Sequence, residues 1–159
     1  MTLRKRDKYN ENAIFDVSDD GIGGQVPKEL EQKCNEFQKT VSLHLIRHRS
    51  ILDVMTKYQD ACSRINRAIA KSVTSCGCLK IDASKQALPA DSSLSEMSEY
   101  VKTHLEGHLC PNCKDVIEEE MGQSVFFLAA LCTLTGIDLY EVIKKENDRI
   151  TTLGVYSLT

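Results

Sequence analysis

Apolar residues recur at helical spacing over most of the chain. Leu30, Cys34, Phe37, Val41, Leu45 and His48 share one stripe and predict a first helix that begins after Pro27. Ile51, Met55, Tyr58, Cys62, Ile65 and Ile69 then repeat in alternating steps of four and three, and Ser50 with Asp53 supplies a capping-box-like start. This second helix is predicted to stop near Ser75-Cys76-Gly77, because glycine adopts the left-handed cap conformation without a steric penalty. Residues 79 to 90 contain Pro89 and keep no period. Asp91-Ser92-Ser93 with Glu96 then predicts a third helix with Leu94, Met97, Val101, Leu105 and His108 on its stripe.

Pro111 suits a first helical position, and Ile117, Met121, Ser124, Leu128, Leu131 and Leu134 predict a fourth helix ending at Gly136. Asp138 with Glu141 caps a fifth, with Leu139, Val142, Ile143, Ile150 and Leu153 facing inward and Gly154 at its end. No strand and no internal repeat is evident. The pattern therefore predicts an all-α fold, an antiparallel bundle of about five helices. Residues 1–27 mix charged, Asn, Ser and Gly residues without an apolar period and read as a flexible tail before a bundle domain over 28–159. Asp20-Gly21-Ile22-Gly23-Gly24 has the look of a nucleotide-binding glycine loop, but the flanking sheet that such a loop needs is not evident in the sequence.

Composition narrows the function classes. A chain of 159 residues with net charge −3 can bury a core without disulfides, and it lacks the basic face with which general nucleic-acid binders neutralise phosphate. No secretory leader opens the sequence, and the longest apolar run, Val125 to Leu134, is far shorter than a membrane span. These features predict a soluble cytoplasmic protein, and in that reducing setting its seven cysteines are expected as thiols.

Four of those thiols form a pattern. Cys76-Gly77-Cys78 follows the second helix and Cys110-Pro111-Asn112-Cys113 opens the fourth, so a returning third helix would bring the pairs together at one end of the bundle. Four thiolates suit a tetrahedral structural zinc ion, and the positive end of a helix dipole favours thiolate at its N-terminus. The four-cysteine site would then be an insertion over 76–113. The same ligands also suit an iron–sulfur cluster, Cys110 and Cys113 alone match the spacing of a redox pair, and four unconnected thiols are the plain alternative. His104 and His108 are near enough in sequence to replace a ligand, although solvated helix histidines are the commoner case, and His44 and His48 read the same way. Cys34, Cys62 and Cys132 fall on or beside apolar stripes and read as core.

The segment Glu119-Glu120-Met121-Gly122-Gln123 with its apolar continuation to Leu131, followed by Thr135-Gly136-Ile137-Asp138-Leu139-Tyr140-Glu141, resembles MazG-type all-α nucleoside triphosphate pyrophosphohydrolases. His48 to Asp53, Thr74 to Cys78 and Val116 to Glu120 resemble a protein family of clostridial Firmicutes carrying the CxC and CxxC pairs, a likeness that brings no activity with it. The MazG resemblance implies a homodimer and a cage of carboxylates that holds Mg²⁺ against a triphosphate, since magnesium takes oxygen ligands and activates water. Carried over residue by residue, Glu120 matches one glutamate of that cage, Gln123 stands where an aspartate belongs, and Gln59, Asp60 and Ser63 stand where three glutamates belong. Without the family, Gln59, Ser63 and Asn66 form a polar ridge on the second helix, while Glu120 sits on an apolar stripe and needs a partner. The functional readings are thus a metal-stabilised interaction or regulatory protein, a Mg²⁺-dependent pyrophosphohydrolase using Glu120, Asp60, Gln59 and Gln123, and a thiol redox or metal sensor.

Overall fold

The computed structural model of the chain describes residues 28–45, 49–87 and 100–153. In order, these form α1 (Lys28–His44), α2 (Ile51–Lys71), a π-helical turn (Ser72–Cys76), β1 (Leu79–Ile81), β2 (Leu105–Gly107), α3 (Pro111–Thr135) and α4 (Leu139–Leu153). The fold is mainly helical, as the periodicity predicts. The tail over 1–27, His48, the start of the predicted third helix and Gly154 lie outside the described residues, as does the Leu153 side chain.

Helix ends follow the local chemistry. Ser50 occupies the cap position of α2 with extended backbone, but its hydroxyl makes no cap hydrogen bond, so the Ser50 half of the capping box is not formed there. Asp138 does cap α4: its Oδ1 accepts the Glu141 backbone N–H at 3.0 Å. Pro111 opens α3, and Gly136 closes it with φ 68° while the Ile137 N–H returns to the Cys132 carbonyl.

α2 and α3 run antiparallel, because contacts between them pair falling with rising residue numbers: Cys62 with Ser124, Arg64 with Gln123 and Glu120, Cys76 with Cys110. The core at their far end comprises Val41, Leu45, Val54, Ala129, Ala130, Cys132 and Leu139, with Phe126, Phe127, Leu128 and Leu131 packed against it. Gln38 ties α1 to the α3–α4 corner, donating to the Ile137 carbonyl and accepting from the Leu139 N–H.

The buried stripe of α2 differs from the predicted one. Val54 and Ala61, with Ser72 just beyond the helix, are fully enclosed, whereas Ile51 and Met55 are exposed and Tyr58, Cys62, Ile65 and Ile69 are half-buried. The centre of a close helix crossing is filled by small side chains that let backbones approach, and the large apolar residues flank it. On α3 the same rule buries Ala129 and Ala130 and leaves Met121 and Leu134 exposed. On α4, Leu139 and Tyr140 are buried, while Val142, Ile143 and Ile150 face outward within this single chain, contrary to their predicted inward placement.

The sequence also missed the sheet. Val101 to His104 are not helical, and β2 pairs antiparallel with β1 in the register Leu79 with Gly107, Lys80 with Glu106, Ile81 with Leu105. Each strand is three residues long, too short for an alternating pattern to stand out. No single described helix is long and apolar enough to cross a membrane, although α3 and α4 together would pass on length and composition across their 107° bend.

Candidate metal centre

The hairpin is what assembles the cysteines. α2 does not stop at Lys71 but widens into the π-helical turn ending at Cys76, and Gly77 with φ 74° reverses the chain. Cys78 follows, and Leu79, only 5 % exposed, anchors β1 against the helix end. β2 returns to Leu109 and Cys110, the residue before the first turn of α3. The Cys76/Cys78 pair is thereby set beside Cys110/Cys113 through a strand pair, where the sequence predicted the later turns of a returning helix.

Gly107 is required for this approach. With φ 87°, it lies so close to the preceding strand that a Cβ there would sit 2.5 Å from the Cys78 carbonyl oxygen. Around it, the Lys80 ammonium contacts the Glu106 carboxylate at 3.2 Å across the strands. Beyond the ladder, Gln86 donates to the Lys102 carbonyl at 2.7 Å and accepts the Lys102 N–H at 3.1 Å. His104 belongs to this staple: its Nε2 lies 2.8 Å from the Gln86 amide nitrogen and its Nδ1 3.1 Å from the Asp82 carbonyl oxygen. His104, with φ 58°, is therefore neither a metal ligand nor a solvated helix histidine, and exposed His108 stands outside the cysteine group.

The Sγ atoms of Cys76, Cys78, Cys110 and Cys113 all lie within 4.8 Å of one another. A tetrahedral ion with metal–sulfur bonds of about 2.3 Å sets its ligands about 3.8 Å apart. The Cys76 and Cys110 sulfurs are already 3.7 Å apart. Cys76 is exposed and the other three are half-buried. In the thiol form, Cys78 donates to the Ser72 carbonyl at 3.6 Å, beside a fully buried Ser72 hydroxyl that donates to Ile69.

Proton affinities within the group are uneven. The Cys110 thiol is pushed down to about 7, chiefly by the Cys113 backbone N–H and then by the Cys113 and Cys76 thiols. The amide contact is looser than a full helix cap, since the Cys110 sulfur makes no cap hydrogen bond. Cys113 is pushed up to about 12, because its proton is held by hydrogen bonding to the Cys110 sulfur, and Cys76 is raised. One thiolate thus forms readily, while Cys113 and Cys76 keep their protons until a cation replaces them.

Of the remaining cysteines, Cys34 and Cys132 are buried and Cys62 is half-buried against Ser124, as core positions should be. Burial raises the Cys34 and Cys132 thiols.

The residues aligned with a magnesium cage meet a different fate. Arg64, which the sequence pattern did not single out, reaches from α2 to α3. Its Nε lies 3.1 Å from Glu120 Oε2 and 3.8 Å from Asp60 Oδ2, and its Nη2 donates to the Gln123 amide oxygen. The Nε–H is not aimed at Oε2, so that contact is ionic and not a formed hydrogen bond. Asp60, Glu120 and Gln123 are brought together, and the cation between them is a guanidinium. Gln59, Ser63 and Asn66 are exposed, and the Gln59 carbonyl accepts the Ser63 hydroxyl, so the polar ridge faces solvent instead of the bundle interior. Arg64 was legible only as an ordinary (i, i+4) partner of Asp60.

Compared with protein-family models, with curated proteins and with solved structures, the chain matches none.

Proposed function

We propose that this chain is a metal-stabilised helical protein, zinc by preference, that works as an interaction or regulatory module on a MazG-like scaffold whose hydrolase site has degenerated. The observation that carries the metal is the convergence of four thiol sulfurs within 4.8 Å. That spacing favours a single ion over an iron–sulfur cluster, since a cluster interposes several atoms between its thiolates. Four thiolates close a tetrahedral shell, which is the arrangement of a structural ion. The ion clasps the ends of α2 and α3. Elemental analysis of the purified protein should find one zinc per chain, and Cys78→Ser with Cys113→Ser should abolish it and lower the melting temperature. Unchanged metal content and melting temperature in that double variant would end the proposal.

The degenerate site is supported by Arg64. A guanidinium between Asp60 and Glu120 supplies the positive charge that a carboxylate cage would otherwise take from Mg²⁺, and Gln123 adds no charge of its own. The competing reading, a nucleoside triphosphate pyrophosphohydrolase, requires Arg64 to move aside. Mg²⁺-dependent release of pyrophosphate from nucleotides, abolished by Glu120→Ala, would establish it.

The module is proposed to pair with a second copy. Val142, Ile143 and Ile150 on α4 and Leu30 and Phe37 on α1 are exposed in the single chain, and association would remove this apolar surface from water. Sedimentation at micromolar concentration should give twice the mass of one chain; a monomer would overturn the pairing.

A further inference from the structure

Of the four thiols, Cys76 alone is exposed. It ends the π-helical turn and stands at a hollow of about 280 Å³ whose lining includes Lys71, Ser75, Asn112, Cys113 and Val116. Its sulfur is 3.7 Å from that of Cys110, on the opposite side of the clasp. On a bound metal ion all four sulfurs are thiolates, so access and not proton affinity decides which one a reagent meets first. The hollow opens onto Cys76 and Cys113, and Cys76 is the exposed one of the two, so a small molecule entering it meets Cys76 first; Lys71 lines the same wall.

We infer that Cys76 is a modification site, the thiolate of the metal centre that a hydroperoxide oxidises first, and that Cys110 resolves the product as a disulfide and releases the ion. This rests on the metal reading above. In the first step the Cys76 thiolate attacks one peroxide oxygen: an S–O bond forms, the O–O bond breaks, sulfur is oxidised to the sulfenic acid, and the leaving oxygen takes a proton to depart as alcohol or water. In the second step the Cys110 sulfur attacks Cys76; the S–S bond forms and the sulfenic oxygen leaves as water with one further proton. One peroxide is reduced and two thiolates are oxidised. The ion then keeps two of its four ligands, Cys78 and Cys113, and dissociates. The clasp between α2 and α3 becomes a covalent bridge that a thiol reductant reverses.

The test uses the full chain loaded with Zn²⁺, its metal content measured first, and hydrogen peroxide below one equivalent. Zinc release is followed with a chromogenic chelator, sulfenic acid is trapped with a dimedone reagent, and disulfides are mapped by peptide mass spectrometry. The expected result is label at Cys76, a Cys76–Cys110 disulfide without label, zinc lost in step with that disulfide, and recovery of zinc binding after reduction. In Cys110→Ala chains that still hold zinc, the label at Cys76 should rise because its resolving thiol is gone; a Cys76–Cys78 or Cys76–Cys113 disulfide formed as fast as the parent's bridge, both partners lying within the same 4.8 Å, would overturn Cys110 as the resolving residue. A chain that takes up no zinc overturns the metal reading and this one together. A zinc-loaded chain that is first labelled at Cys78, Cys110 or Cys113, that joins Cys110 to Cys113 first, or that keeps its zinc overturns this inference alone.

Discussion

At the scale of single residues, the centre is governed by which sulfur holds a proton. Cys110 in the metal-free chain loses its proton at about 7, below the ordinary thiol value of 9.0. A group with a depressed value in the folded state stabilises that state above the unfolded value and loses the contribution as pH falls through the folded one. The stabilisation from Cys110 should therefore be complete above about pH 9 and gone below about pH 7. Iodoacetamide labelling of chelator-treated protein should place the midpoint of Cys110 alkylation near 7; a midpoint near 9 would show that the Cys113 amide does not act on it. Zinc affinity should decline on acidification, since the thiol protons of Cys113 and Cys76 compete directly with the ion.

At the scale of elements, the decisive piece is the hairpin. Its strands are short, and their placement depends on Gly107 lying against the Cys78 carbonyl. Gly107→Ala should disturb the centre without touching a ligand: the left-handed backbone alone costs about 1–2 kcal/mol, and the new methyl group cannot be seated without moving Cys78. The expected outcome is a lower melting temperature and weaker zinc binding in a chelator competition, with far-ultraviolet circular dichroism unchanged because α1 to α4 stay intact. Zinc binding equal to that of the parent would show that the hairpin does not position Cys78. Elsewhere the elements follow local signals closely. Pro111, Gly136 and the Asp138 cap fall where their chemistry puts them, whereas Ser50 holds the cap position without using its hydroxyl.

At the scale of the whole molecule, two unlike attachments join α2 to α3. One is the far-end core, where Val54 and the alanines of α3 meet Val41 and Leu45 of α1. The other is the cysteine clasp, with the Arg64 contacts to Glu120 and Gln123 between them. An ion that binds only the folded clasp stabilises by mass action, about 4 kcal/mol when free metal is a thousandfold above its dissociation constant. Chelation should thus lower the melting temperature and accelerate amide exchange at Ser72–Cys76, β1, β2 and the first turn of α3 before exchange rises at Val54 or Ala129. Uniform acceleration through both regions would mean that clasp and core open as one unit.

The helical character of the chain, most helix boundaries and the four clustered cysteines were legible along the chain, because each is written in local chemistry: apolar period, caps, glycine stops and ligand spacing. The pattern likened to a magnesium cage pointed to Asp60, Glu120 and Gln123, and each of the three contacts Arg64. Tertiary contact set an arginine between them, since whether Arg64 turns to solvent or across to α3 depends on a neighbour that no local pattern encodes. It alone decided that Leu105–Gly107 is a strand, because three residues carry too little periodicity and pairing with Leu79–Ile81 supplies the missing information. The central line of the bundle likewise came from packing: small side chains sit where two helices touch, so Ala61, Ala129 and Ala130 are enclosed while the larger Met55 and Met121 are not.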